Sequence, residues 1–177
     1  MPKRVSVSVR NKLPQPKTLV PNPKGTALCP SCSAIYERKR WFENQARARE
    51  LAADRTVALV RCPACARQKA NYPEGILTVT GAFVAAHHDD ILHTIVSTSK
   101  RERAHDTLCR LLDVRASREG MTVTTANERL ARKLGHVLHS SFGGELTFVF
   151  SHDDRLTRVH WNRDSLGRES ARTVKKR

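Results

Sequence analysis

The rhythm of apolar and polar positions changes along the chain. Over residues 1–26 single apolar side chains stand among Pro2, Pro14, Pro16, Pro21 and Pro23, with six lysines and arginines and no acid. Such a segment cannot bury enough apolar surface to offset chain entropy, and it reads as a disordered or extended basic arm. Over 27–70 the signals are short. Glu43 to Ala53 is rich in helix formers. Thr56 to Val60 is a brief β-branched run that predicts a strand. From 71 to 162 the pattern becomes regular. Gly75 to Thr80 predicts a strand, and Phe83 to about Thr98 a helix, with Ile91, Leu92, Ile95 and Val96 at helical spacing. Leu108 to Ala116 and Gly120 to Thr124 predict strands. Thr125 with Glu128 three residues on reads as a capping box. It opens a helix whose stripe is Leu130, Leu134, Val137 and Leu138 and which Gly143-Gly144 ends. Leu146 to Phe150, a turn at 151–154, and Leu156 to Trp161 complete the series.

The order is β-α-β-β-α-β with one extra hairpin strand. That is the ferredoxin-like split βαβ pattern, two helices on one face of an antiparallel sheet. The expected class is therefore α+β, with a ferredoxin-like domain over 71–162 and a second basic tail over 163–177. The chain has 177 residues, enough for one or two domains.

Charge sharpens this division. The net charge is +15. Residues 1–70 carry 15 lysines and arginines against four acids, residues 71–162 carry 11 of each, and residues 163–177 carry six against two. A folded, neutral body with basic attachments is expected, and the excess points to a polyanionic partner. No apolar run approaches the ~20 residues of a membrane-spanning helix. The start Met-Pro-Lys-Arg lacks the apolar core of a secretion signal, so a cytoplasmic location is expected.

The strongest chemical signal lies in 27–70: Cys29-Pro30-Ser31-Cys32 and Cys62-Pro63-Ala64-Cys65. A Cys-x-x-Cys turn offers two sulfurs to one metal at bonds of ~2.3 Å, and two such knuckles close a tetrahedral shell. This predicts one structural Zn²⁺ held by Cys29, Cys32, Cys62 and Cys65, in a zinc ribbon. Disulfides, a redox pair and iron are the competing readings. Cys109 reads as a buried free thiol.

Basic residues beside aromatic ones suggest contacts to nucleic acid, since cations release counterions from phosphate and aromatic faces stack on bases. The candidates are Arg38, Lys39, Arg40 and Trp41, then Arg129, Arg132 and Lys133 on the second helix, then Lys175, Lys176 and Arg177. Trp41 can equally pack around the cysteines, and the helix residues can be a solvated face. His87, His88, Asp89, Asp90 and His93, and His152 with Asp153 and Asp154, match no metal-site spacing. Phosphate-loop, dinucleotide, zinc-protease and nucleophile-elbow motifs are absent from the sequence, so no catalysis is expected.

The two Cys-Pro-x-Cys pairs, with the stretch from Val123-Thr124-Thr125 to Trp161, carry a resemblance. The stretch includes Glu128-Arg129-Leu130-Ala131-Arg132-Lys133-Leu134-Gly135, Phe142-Gly143-Gly144-Glu145-Leu146 and Arg158-Val159-His160-Trp161. Together they resemble the N-terminal half of the archaeal and eukaryotic large-subunit export adaptors (nonsense-mediated-decay protein three). They resemble more closely a group of short bacterial proteins related to that family. The likeness covers roughly residues 27–162. It implies a zinc-ribbon module joined to an α+β module that binds the large ribosomal subunit. The adaptors usually carry more Cys-x-x-Cys pairs than the two here, and their later domain and export tail have no counterpart before Arg177, so export is not implied. The expected function is non-enzymatic RNA binding in association with the ribosome. A DNA-binding or protein-docking regulatory adaptor is the alternative.

Overall fold

A computed structural model describes residues 23–117, 120–150 and 156–164. Most of the expected N-terminal arm, the turn at 151–154 and the tail from 165 onward, with Lys175, Lys176 and Arg177, lie outside the described residues.

The first unit is built from very short strands. β1 (Ala27–Leu28), β2 (Ile35–Glu37), β3 (Arg40–Phe42) and β4 (Ala58–Leu59) form a sheet in the order β3-β2-β1-β4. β1 pairs antiparallel with β2 and parallel with β4. Helix α1 (Gln45–Ala53) lies between β3 and β4 in sequence, and α2 (Pro63–Ala70) follows. Asn44 starts α1, its side-chain oxygen accepting the Arg47 amide at 3.0 Å. Leu28, Ile35, Ala48 and Leu51 form a small core, with Phe42 and Val57 packed against it.

The second unit runs β5 (Gly75–Thr80), α3 (Ala82–Ala86), α4 (His88–His105), β6 (Leu111–Ser117), β7 (Gly120–Thr125), α5 (Glu128–Phe142), β8 (Glu145–Phe150) and β9 (Thr157–Asn162). The strand order is β6-β7-β5-β9-β8. Every neighbouring pair is antiparallel except β5 with β9, which is parallel. The α+β class and the succession of elements follow the sequence pattern, but the sheet is mixed rather than wholly antiparallel. The expected extra strand, β9, takes the inner position beside β5, and β8 goes to the edge. Burial explains the exchange. Thr157, Val159 and Trp161 of β9 are almost fully buried, whereas β8 leaves Val149 and Phe150 exposed. A strand with one fully apolar face fits the inner position, and an edge tolerates the other.

Two local expectations also change. The single helix from Phe83 divides at His87, whose ring stacks on Phe83 at 4.0 Å. The cap of α5 is Asn127, not Thr125: its side-chain oxygen accepts the Leu130 amide at 3.0 Å. Thr125 stays in β7, paired with Gly75 and Leu111, and its hydroxyl donates to the Asn127 carbonyl at 2.7 Å. Glu128 instead accepts from the Thr157 hydroxyl at 3.1 Å and pairs with Arg132 at 3.1 Å.

Leu77, Val79, Met121, Val123, Val159 and Trp161 from the sheet meet Ile91, Ile95, Leu130, Leu134 and Leu138 from the helices in one core. Gly135 sets how closely α5 approaches, since a Cβ there would lie 2.6 Å from Val159 Cγ1 and 2.9 Å from Leu146 Cδ1. The Trp161 indole N–H donates to the Gly143 carbonyl at 2.8 Å, which satisfies an acceptor at the end of α5. Cys109 lies in the turn before β6 rather than in a strand, and is buried in this core as a free thiol. Leu134→Ala should leave a cavity and lower unfolding free energy by about 2–5 kcal/mol in chemical denaturation, whereas Thr147→Ala on the exposed side of edge strand β8 should change it by less than about 0.5 kcal/mol.

Candidate metal centre

Cys29 and Cys32 lie in the turn that leaves β1. The Cys29 amide donates to the Ala34 carbonyl at 2.8 Å and the Ser33 amide to the Cys29 carbonyl at 2.9 Å, which folds the backbone around the sulfurs. Ser33 completes the turn with φ at 56°, a left-handed conformation. The second pair is not a second knuckle, which departs from the expected ribbon. Cys62 is the N-cap of α2, Pro63 is its first residue, and Cys65 is in its first turn. Proline suits that position because its missing N–H would have no helical partner. The Cys65 backbone in that first turn favours a thiolate at Cys62, though the bond to Cys32 and burial outweigh it.

The four Sγ atoms lie within 4.8 Å of one another, and those of Cys32 and Cys62 are 3.6 Å apart. Ligands on a tetrahedral ion at ~2.3 Å stand about 3.8 Å apart, so the donor set fits such an ion. All the cysteines are free, and 3.6 Å is far beyond a disulfide bond of ~2.05 Å. Cys29, Cys62 and Cys65 are buried and Cys32 is half-buried. The Cys29 sulfur accepts the Cys62 amide at 3.3 Å, and the Cys65 sulfur accepts Arg110 Nη1 at 3.4 Å.

Crowding sets the thiols against one another. Hydrogen bonding from Cys62, helped by Ala34 and Arg110, pulls the Cys32 thiol down to about 4. The same bond, with burial, pushes Cys62 up. Burial and the Cys32 charge push Cys65 up to about 11. Burial disfavours the Arg110 charge, but bonding to Cys32 and the charges of Cys32, Cys62 and Cys65 more than offset it and hold the guanidinium above its ordinary value. The protein alone thus favours one thiolate at the expense of its neighbours. A cation lets all four ionise together.

The cluster lies where the two units meet. Ala34, Ala64 and Trp41 surround it from the first unit, and Leu108, Leu112 and Ala126 from the second. Arg67 donates to the Ala126 carbonyl at 2.9 Å and pairs with Glu74 at 2.5 Å. Glu43 accepts from Arg103 at 2.8 Å and from Arg110 at 2.9 Å. Arg110 and Glu43 carry no sequence signal: nothing in their spacing marks an arginine from a distant unit as a neighbour of the cysteines.

Arg38 and Lys39 form the two-residue turn of the β2–β3 hairpin, with φ at 50° and 63°, and both are exposed, as is Arg40. Beside them is an open groove of about 690 Å³ lined in part by Lys24, Gly25 and Tyr36. Trp41 is half-buried, packs against the cysteine cluster, and lies 5.3 Å from the Tyr36 ring. On α5 of the other unit Arg129 and Lys133 are exposed, while Arg132 is tied to Glu128. His87 and His88 form exposed pairs with Asp90 at 3.6 Å and Asp89 at 3.1 Å. Among the described residues, the cysteines form the one group suited to hold a metal.

Fold and site together define an α+β protein with a four-cysteine cluster that could hold a metal ion, at the junction of two mixed sheets. Among the described residues no helix is long and apolar enough to cross a membrane. Comparison with protein families, with curated proteins and with solved structures finds no match for the chain.

Cys62→Ser should abolish stoichiometric metal in elemental analysis of protein purified without chelator, and should lower the thermal stability of the first unit. Protons compete with the metal for thiolate, so affinity should rise with pH and metal should be released as pH falls from about 7.5 towards about 5. Titration in the presence of a chromogenic chelator would record that release.

Proposed function

We propose that the protein is a non-enzymatic zinc-binding RNA-binding protein of the cytoplasm, associated with the large ribosomal subunit. One structural Zn²⁺ on Cys29, Cys32, Cys62 and Cys65 holds the first unit together. Four sulfur donors favour zinc among divalent ions by their softness, and a shell closed by protein leaves no position for a substrate.

The observation that carries the RNA reading is the tip of the β2–β3 hairpin. Two-residue hairpin turns with positive φ at both positions favour Asn-Gly, because side chains with a Cβ are strained there. Each non-glycine residue in that region costs of order 1–3 kcal/mol. Arg38 and Lys39 occupy both positions and expose their charges. Turn formation does not call for these residues, whereas phosphate binding does. Lys24, across the adjoining groove, adds a third cation. The charge distribution agrees, since the excess lies on residues 1–70 and 163–177 and the body between is neutral. Trp41 supports the metal centre from the inside, leaving the cations of the tip to contact the backbone of the nucleic acid. The family resemblance in the cysteine pairs and the Val123–Trp161 stretch makes ribosomal RNA the first polyanion to test.

Each phosphate neutralised adds about 0.7–0.9 to the salt slope of binding. The double variant Arg38→Gln, Lys39→Gln should weaken binding to ribosomal RNA across sequences and flatten that slope by about 1–2. Filter binding over a series of salt concentrations measures both quantities. Wild-type affinity that is insensitive to salt would reject the electrostatic reading. Partners retained in a pull-down after nuclease treatment of the lysate would favour protein docking instead.

A further inference from the structure

We infer that Arg110 belongs to the metal centre as its charge-compensating residue, supplied by the second unit to a site whose ligands all come from the first. The inference rests on the reading that the four cysteines hold a divalent ion. Four thiolates around such an ion leave two negative charges. Three of the sulfurs are on buried residues and Cys32 is half-buried, among Ala34, Ala64, Ala126, Leu108 and Leu112, and burying charge without a partner is strongly unfavourable.

Arg110 is placed to answer that. It is 8% exposed, unusual for an arginine, and its donors are committed in three directions. Nη1 donates to Cys65 Sγ at 3.4 Å, Nη2 to Glu43 at 2.9 Å, and Nε to the Thr107 carbonyl at 3.1 Å. Glu43 does not cancel it, because the same carboxylate oxygen also takes Arg103 at 2.8 Å. Two arginines and one glutamate leave one net positive charge beside the cluster. The planar guanidinium matters as well as the charge. A lysine ammonium is a point charge on a flexible stem and cannot hold this fork.

Arg110 immediately precedes β6, and the Ala126 amide donates to its carbonyl at 2.9 Å, just before α5 begins. The side chain that steadies the thiolates is therefore fixed to the second unit's sheet and main helix. Loading the site and seating the units on one another become thermodynamically linked: each makes the other more favourable.

The test uses the full chain with Co²⁺ as a spectroscopic probe and Zn²⁺ in competition with a chromogenic chelator. Arg110→Met keeps much of the volume and removes the charge. It should weaken metal binding by about 10–100-fold, the range typical of lost outer-shell partners, and should shift the sulfur-to-cobalt charge-transfer band because Cys65 loses its N–H donor. Arg110→Lys should fall between it and wild type. If the methionine variant does not fold, the lysine variant decides, since it must still show a shifted band and weakened binding. Wild-type affinity and an unmoved band in the variants would overturn the role of Arg110 while leaving the metal reading intact. A wild-type chain that takes up no cobalt or zinc would overturn both.

Discussion

Strands of two and three residues carry too few backbone hydrogen bonds to hold a sheet, and the first unit has no longer ones. Its small core adds only Leu28, Ile35, Ala48 and Leu51 with two partly buried neighbours. What remains to order it is its packing on the second unit and, on the reading proposed above, the link a metal ion makes between the turn at Cys29–Cys32 and the first turn of α2 at Cys62–Cys65. That link closes a loop of about 30 residues, and the chain entropy it removes is of the size that small domains obtain from a disulfide or a metal. Trp41 depends on it most directly, since it packs against the cysteines.

The second unit does not share this weakness. Its five strands, the amphipathic helix α5 and the helix α4 bury a continuous core around Trp161 and Leu134. It can serve as the rigid body against which the cysteine unit is held. The joint between them is partly apolar, through Leu108, Leu112 and Ala126, and partly ionic, through Arg67, Arg103 and Arg110. The basic tip of the hairpin thus projects from a unit that is fixed at its base.

Much of the second unit is legible in the sequence because its elements are long and strongly periodic. The stripe Leu130, Leu134, Leu138 and the stop at Gly143-Gly144 place α5 to within a few residues. The position of β9 is not legible, because a hairpin strand and an inner strand show the same alternation. Only the burial of Val159 and Trp161 against the helices separates them. Thr125 and Glu128 have capping-box spacing, yet Asn127 is nearer the helix and stronger as a cap, and Thr125 is held by strand pairing. The four cysteines are evident from their spacing, but not that the second pair opens a helix. Pro63 carries that signal, since proline favours the first helical position as readily as a tight turn. Arg110 gives no sequence signal, because its role arises from contacts 45 residues distant in the chain.

On the proposed reading one divalent ion, ligated only by cysteine sulfur, organises the first unit. X-ray absorption at the zinc edge on full-length protein, purified without chelator, tests it most directly. A single shell of four sulfur atoms at about 2.3 Å is expected. A shell containing nitrogen or oxygen ligands, or protein devoid of metal, would contradict it.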